Sequence, residues 1–244
     1  VRQESLFALP RRAAELDRTH VLHSKRRYWI GRRAQDIVLS LAALLVLWPL
    51  MLIIALVIWI DSPGASPIFA QERVGRDGKR FMFLKFRSMI PNAEERLEEL
   101  LDQNEMDGPV FKIKEDPRIT RVGRFLRKTS LDELPQIYNI LAGQMSVIGP
   151  RPALYNQYDL IEARDKVRAN DIRPGLTGLA QVNGRDELPI DVKARYDGEY
   201  AAHVTFWNDV KIFFRSITYV FQRRGVVEGG TGAMNQTKEE KSSK

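Results

Sequence analysis

The sequence predicts a mostly helical α+β fold: one domain, an N-terminal re-entrant membrane helix-break-helix, and interfacial amphipathic helices. Three observations carry this expectation. The 24 residues Ile37–Ile60 contain no charge and have Pro49 at their middle. Two short runs of strand character flank the turn Arg76-Asp77-Gly78-Lys79, and apolar residues repeat at helical spacing through Phe206, Val210, Phe213, Phe214 and Ile217. A chain of 244 residues is long enough for one sizeable core.

Taken in order, residues 1–33 form a basic arm. They hold nine Lys/Arg and three Asp/Glu, so +6 of the net +7 lies ahead of the apolar run. No zinc-finger spacing or aromatic RNA-binding pattern accompanies that charge, and nucleic acid is not an expected partner. Basic residues beside an apolar segment are drawn to anionic lipid headgroups; residues 1–20 read equally as a solvated tail. The chain has no Cys and three scattered His, which excludes disulfides and thiolate chemistry and argues against a zinc site.

Residues 34–62 hold the apolar run, which as a straight helix extends about 36 Å against a hydrocarbon core of about 30 Å. Both flanks are basic: Lys25, Arg26, Arg27, Arg32 and Arg33 before it, Arg73, Arg76, Lys79, Arg80, Lys85 and Arg87 after it. The positive-inside tendency therefore asks for both ends on the cytoplasmic face. Pro49 denies Leu45 its helical hydrogen bond, and a break there lets each half dip into one leaflet and return. A spanning helix that tolerates its proline is the alternative.

Asp61-Ser62-Pro63-Gly64 reads as a turn. Strands are expected over Pro67–Arg73 and Lys79–Met89, with Lys85 and Arg87 on one face and Phe86 opposite. Asn92–Asp102 reads as an acidic amphipathic helix with a solvated glutamate face. Arg118, Arg121, Arg124 and Arg127 then recur every third residue. Tyr155–Ala169 reads as a charged helix, Arg173-Pro174-Gly175 with Gly178 as a tight loop open to close ligand approach, and Phe206–Phe221 as a helix lying in the interface or packing on the core. Residues 226–244 have the composition of a disordered tail.

The chemistry concentrates in Arg127–Pro152. Asp132 and Glu133 are adjacent, with Arg127 before them and Arg151 after them on the stiff stretch Gly149-Pro150-Arg151-Pro152. Arginine forks match phosphate oxygens two at a time, and a carboxylate pair can hold a hard divalent cation while one member attacks. Ser130-x-x-Glu133 is also the spacing of a helix capping box, and Pro135 offers a second helix start.

The run S-L-D-E-L-P-Q followed by N-I-L-A-G-Q-M-S-V-I-G-P-R-P resembles the core of the bacterial sugar transferases, the monotopic phosphoglycosyl transferases that make polyprenol-linked phosphosugars. Lys85–Met89 (K-F-R-S-M) and Arg173–Arg185 (R-P-G-L-T-G-L-A-Q-V-N-G-R) agree with it, and the similarity covers roughly residues 25 to 225. The resemblance implies a catalytic domain over residues 63–225, at the cytoplasmic face of a bacterial inner membrane. It implies transfer of a sugar phosphate from a UDP-sugar to a polyprenol phosphate, with magnesium as cofactor. On it rest Asp132 as nucleophile, Glu133 as its partner and second metal ligand, and Lys85, Arg127, Arg151 and Arg173 as phosphate-binding groups. Arg185 and Asp197 are candidate donor-site residues. A transferase moving the sugar alone is a rival reading, but the chain has no D-x-D metal pair; a non-catalytic membrane adaptor is another.

Overall fold

The computed structural model describes residues 26–93, 95–96, 116–184 and 188–221. The acidic helix expected over Asn92–Asp102 lies mostly outside these residues, as do the arm before Arg26, Arg185 and the tail.

Helix α1 runs from Arg26 to Asp61, 36 residues, and is long and apolar enough to cross a membrane. The break expected at Pro49 is not found: the helix continues through it. Proline removes one donor and crowds one carbonyl, but the turns on either side keep their own hydrogen bonds and hold the helix together. Its buried residues are Arg32, Asp36, Ser40, Met51, Ile54 and Ile58, so one helical face meets the rest of the protein near both ends. Between them Leu45 and Val46 are 76% and 72% exposed.

The two ends are held by different chemistry. At the first, Arg32 donates to Ser146 Oγ at 3.0 Å and to the Ile148 carbonyl, while Asp36 accepts from Ser146 Oγ at 2.8 Å and from the Val147 amide at 3.1 Å. Asp209 accepts from Tyr28 at 2.5 Å and Tyr200 at 2.6 Å in the same cluster. Arg33 donates to the carbonyls of Ile140 and Leu141, both at 2.6 Å. At the second end, Met51, Ile54 and Ile58 pack with Phe86 and Leu126.

The expected hairpin is present. Strand β1 (Ile68–Val74) pairs antiparallel with β2 (Arg80–Phe86), from Ile68 opposite Phe86 to Val74 opposite Arg80. Helix α2 (Arg121–Thr129) is capped by Thr120, whose side chain accepts from the Gly123 amide, and α3 covers Gln136–Leu141. Strand β3 (Ser146–Ile148) lies parallel to β4 (Gly175–Thr177). Helices α4 (Tyr158–Lys166), α5 (Ile190–Ala202) and α6 (Phe206–Phe221) complete the chain. Ile148, Ile172, Val182, Tyr200, Val204 and Ile212 form one core cluster; Phe81, Phe83, Ile140 and Met145 form another.

Two local expectations are corrected. Ser130 starts no α-helix: it closes α2 in the left-handed region at φ 57° and precedes only the 3-10 turn Leu131–Glu133, with no capping hydrogen bond from its side chain, and α3 begins after Pro135. The glycines after Arg173 serve backbone packing rather than ligand approach. A Cβ at Gly175 would lie 2.1 Å from Gly149 N, and one at Gly178 2.1 Å from Gly149 O.

Replacing Asp36 with Ala removes the buried acceptor of Ser146 Oγ and of the Val147 amide and takes one of two carboxylates from the charged cluster around Arg32, leaving Asp209 as its ion-pair partner. A loss of about 3 kcal/mol is expected, read as a lower thermal unfolding midpoint of the full chain in detergent. An unchanged midpoint would show that this cluster adds no stability.

Candidate active site

Asp132 and Glu133 sit on a 3-10 turn, Leu131–Glu133, between α2 and α3. The turn is fixed from both sides. Leu131 and Leu134 pack against the Met51–Leu126 cluster, so the α1 end of the apolar helix supports it from below. On the other side, Asn139 of α3 accepts from the Leu84 amide at 3.0 Å and donates to the Met82 carbonyl at 2.7 Å. Those groups belong to the edge of β2 that β1 leaves unpaired, so a side chain completes the ladder and docks α3 against the strand.

Docking brings Lys85 to the acids. Its Nζ is 3.3 Å from Asp132 Oδ2 and 3.4 Å from Glu133 Oε1. Arg151 approaches Glu133 with two nitrogens, Nη2 to Oε1 at 2.5 Å and Nη1 to Oε2 at 3.4 Å. Asp132 is 5% exposed, yet its Oδ1 takes no hydrogen bond among the described residues. The two carboxylates therefore differ: Glu133 is clamped, and Asp132 keeps an oxygen open. Beneath them lies the Phe83 ring, with Lys85 Nζ 5.7 Å, Arg151 Cζ 6.0 Å and Arg73 Cζ 5.2 Å from its centroid. Arg73 also donates to the Pro152 carbonyl at 2.9 Å. Alternation along β2 places Phe81, Phe83 and Lys85 on one face, a signal present in the sequence and unused there.

The other expected cations have further partners. Arg127 donates to Ser88 Oγ at 2.8 Å. Arg173 donates to the Gly143 carbonyl at 2.9 Å, beside Arg33, and burial together with Arg76 and Arg33 lowers its pKa. Arg118, first of the arginines that recur every third residue, is buried on Asp116 with Nη2 to Oδ2 at 2.7 Å. Burial alone would raise the Asp116 pKa; hydrogen bonds and charge from Arg118 outweigh it and hold it below the ordinary value. Asp197 does not face a donor surface. It is 1% exposed and accepts from Arg164 at 2.6 and 2.8 Å; burial raises its pKa against the opposing Arg164 charge. Nothing in the spacing of the charged helix marks Arg164 as its buried member.

The bacterial sugar transferase family pattern matches residues 27–223, nearly the whole described chain. The chain belongs to that family. As a bacterial sugar transferase it is an enzyme, and its relatives' names are consistent. It is 42% identical over 205 residues to a UDP-galactose-lipid carrier transferase of Erwinia amylovora, covering 80% of this chain and 41% of the relative. It is 42% identical over 211 residues to an undecaprenyl-phosphate galactose phosphotransferase of Salmonella typhimurium, covering 83% and 43%. With the exopolysaccharide production protein ExoY of Rhizobium meliloti it shares 38% over 201 residues, covering 80% and 88%. The chain thus spans about two fifths of the first two relatives and most of the third.

Whether the transferase site suits magnesium turns on its donor set. Among the described residues no group of three or more His, Cys, Asp or Glu gathers. Mg²⁺ commonly takes one or two carboxylates and completes its shell with water and substrate phosphates, so Asp132 with its open oxygen and Glu133 fit such a shared site.

Lys85 is the cation common to both carboxylates. Exchanging it for Met is expected to lower transferase turnover at least about tenfold, the cost of one charge-assisted hydrogen bond in a partly buried site, with far-UV circular dichroism unchanged. Full turnover in that variant would remove Lys85 from the site.

Proposed function

We propose that this transferase moves a sugar 1-phosphate from a UDP-sugar to undecaprenyl or another polyprenol phosphate, yielding a polyprenyl diphospho-sugar and UMP. The observation that carries the reading is the asymmetry of the acids: Glu133 is gripped by Arg151 and Lys85, whereas Asp132 is buried beside Lys85 with Oδ1 open. Such an oxygen is a nucleophile held in place. The UDP-linked and polyprenol-phosphate names of relatives support the same substrate classes.

An Asp132 oxygen attacks the sugar-bearing phosphorus. The O–P bond forms as the bridging P–O bond breaks, and UMP leaves with that electron pair. A phosphate oxygen of the polyprenol phosphate then attacks the same phosphorus, and the Asp132 carboxylate leaves. Two polyanions never have to meet unshielded, because each encounters the enzyme separately. Lys85 and Arg151 face the charge that develops on the transferring phosphoryl group. Magnesium, held by Asp132 and Glu133, would supply further neutralisation of the diphosphate.

The membrane arrangement we infer keeps both ends of α1 at one face. Arg32 and Asp36 bind β3, and Ile54 and Ile58 pack on Phe86 and Leu126, all within one folded body. A helix crossing the bilayer would carry those ends to opposite sides. Exposed Phe206, Trp207, Phe213 and Phe214 on α6 offer a second surface for the interface. With basic flanks the body lies on the cytoplasmic face of the bacterial inner membrane.

Incubation with donor alone should add one phosphosugar mass to the peptide containing Asp132 and release UMP; Asp132→Asn should give neither. UMP release strictly dependent on acceptor, with no adduct, would favour direct attack. Single cysteines at positions 24 and 66 (Ser24→Cys, Ser66→Cys) should both react with an impermeant reagent from the cytoplasmic side. Labelling of either from the outer side alone would overturn the placement of both ends at one face.

A further inference from the structure

Arg164 and Asp197 take no part in the chemistry above, yet both are nearly inaccessible, with side chains 4% and 1% exposed. Arg164 on α4 gives Nε and Nη2 to a single oxygen of Asp197 on α5, at 2.8 and 2.6 Å. A pair that only joined two helices would end there. The remaining terminal nitrogen, Nη1, instead leaves the helix interface and donates 2.8 Å to the main-chain carbonyl of Arg151.

That carbonyl lies between Pro150 and Pro152, on a segment whose prolines cannot donate main-chain hydrogen bonds. The Arg151 side chain ends on Glu133 at 2.5 Å. Hydrogen bonds therefore link Asp197 through Arg164 to the Arg151 main chain, and the Arg151 side chain carries the line on to Glu133. Asp197 Oδ1 has no hydrogen-bond partner, so the aspartate is committed to orienting the guanidinium through Oδ2. A guanidinium can meet two partners in fixed directions at once, which an ammonium cannot.

We propose that Arg164 and Asp197 are positioning residues for catalysis, holding the Arg151 main chain so that its guanidinium stays on Glu133. The proposal rests on Arg151 acting in transfer, as argued above. It predicts that Arg164 works through Arg151 and not through general stability.

The test is a double-mutant cycle on the full chain in phospholipid nanodiscs, with undecaprenyl phosphate and whichever of UDP-galactose, UDP-glucose or UDP-N-acetylglucosamine the wild type turns over fastest. Arg164→Lys should lower kcat about tenfold when Arg151 is present, the scale of one charge-assisted hydrogen bond. In an Arg151→Ala background the same change should cost less than about twofold, because residues acting in series are non-additive. Equal losses in both backgrounds, or no loss in either, would overturn the proposal. Hydrogen exchange gives a readout independent of turnover: Arg164→Lys should raise deuterium uptake in the peptide spanning Gly149 to Leu154, and unchanged uptake counts against it. If the wild type transfers none of the three sugars, the reaction assigned above fails while the exchange result still decides the positioning role. Should Arg164→Lys not fold, the isosteric Asp197→Asn runs the same cycle with the same expected pattern.

Discussion

Two neighbouring carboxylates repel one another, and the site exists because cations from two separate elements hold them together. Lys85 comes from the end of a hairpin and Arg151 from a proline-bound loop after β3; the acids lie on a turn between two helices. Without substrate the group balances two negative against two positive charges. Each buried carboxylate is thereby given a close cation, as a poorly hydrated setting requires.

The apolar helix is tied to this arrangement at both ends. Its first turns bind the residues that lead through β3 into Gly149 and Arg151, and its last turns pack beneath Leu131 and Leu134, which carry the acids. The turn that carries Asp132 and the loop that carries Arg151 are thus each seated on a different end of one long apolar helix. A displacement of the helix relative to the domain would shift both halves of the site.

The sequence announced the acids, Lys85, Arg151 and the hairpin because each is encoded locally: adjacent carboxylates, strand alternation, a turn of Asp and Gly, a proline-braced arginine. What it hid was of two kinds. Ser130-x-x-Glu133 has capping-box spacing, but Ser130 takes a left-handed conformation after α2, and tertiary packing of Leu131 and Leu134 decides the turn. Pro49 signals a break by its missing donor, yet the helix carries through because the turns on both sides remain bonded. The second kind is long-range: Asp197 meeting Arg164 across 33 residues, or Asn139 completing β2 across 55, leaves no periodicity to read.

The arginines show why charge alone misleads in such a chain. Arg32, Arg33, Arg73, Arg87, Arg118, Arg164 and Arg173 each donate to a main-chain carbonyl, those of Ile148, Ile140, Pro152, Ser66, Ala93, Arg151 and Gly143 among them. The described sheets are only two-stranded, so much of the backbone lies in loops and short helices whose carbonyls no ladder satisfies. A guanidinium has five donors spread in a plane and can bond a carbonyl while still meeting an acid or a second carbonyl. It is therefore suited to bracing irregular backbone, and part of the basic composition follows from the architecture alone. In such a fold what lies at the end of the fork separates one arginine from another: Arg151 ends on Glu133, and Arg164 ends on the Arg151 carbonyl as well as on Asp197.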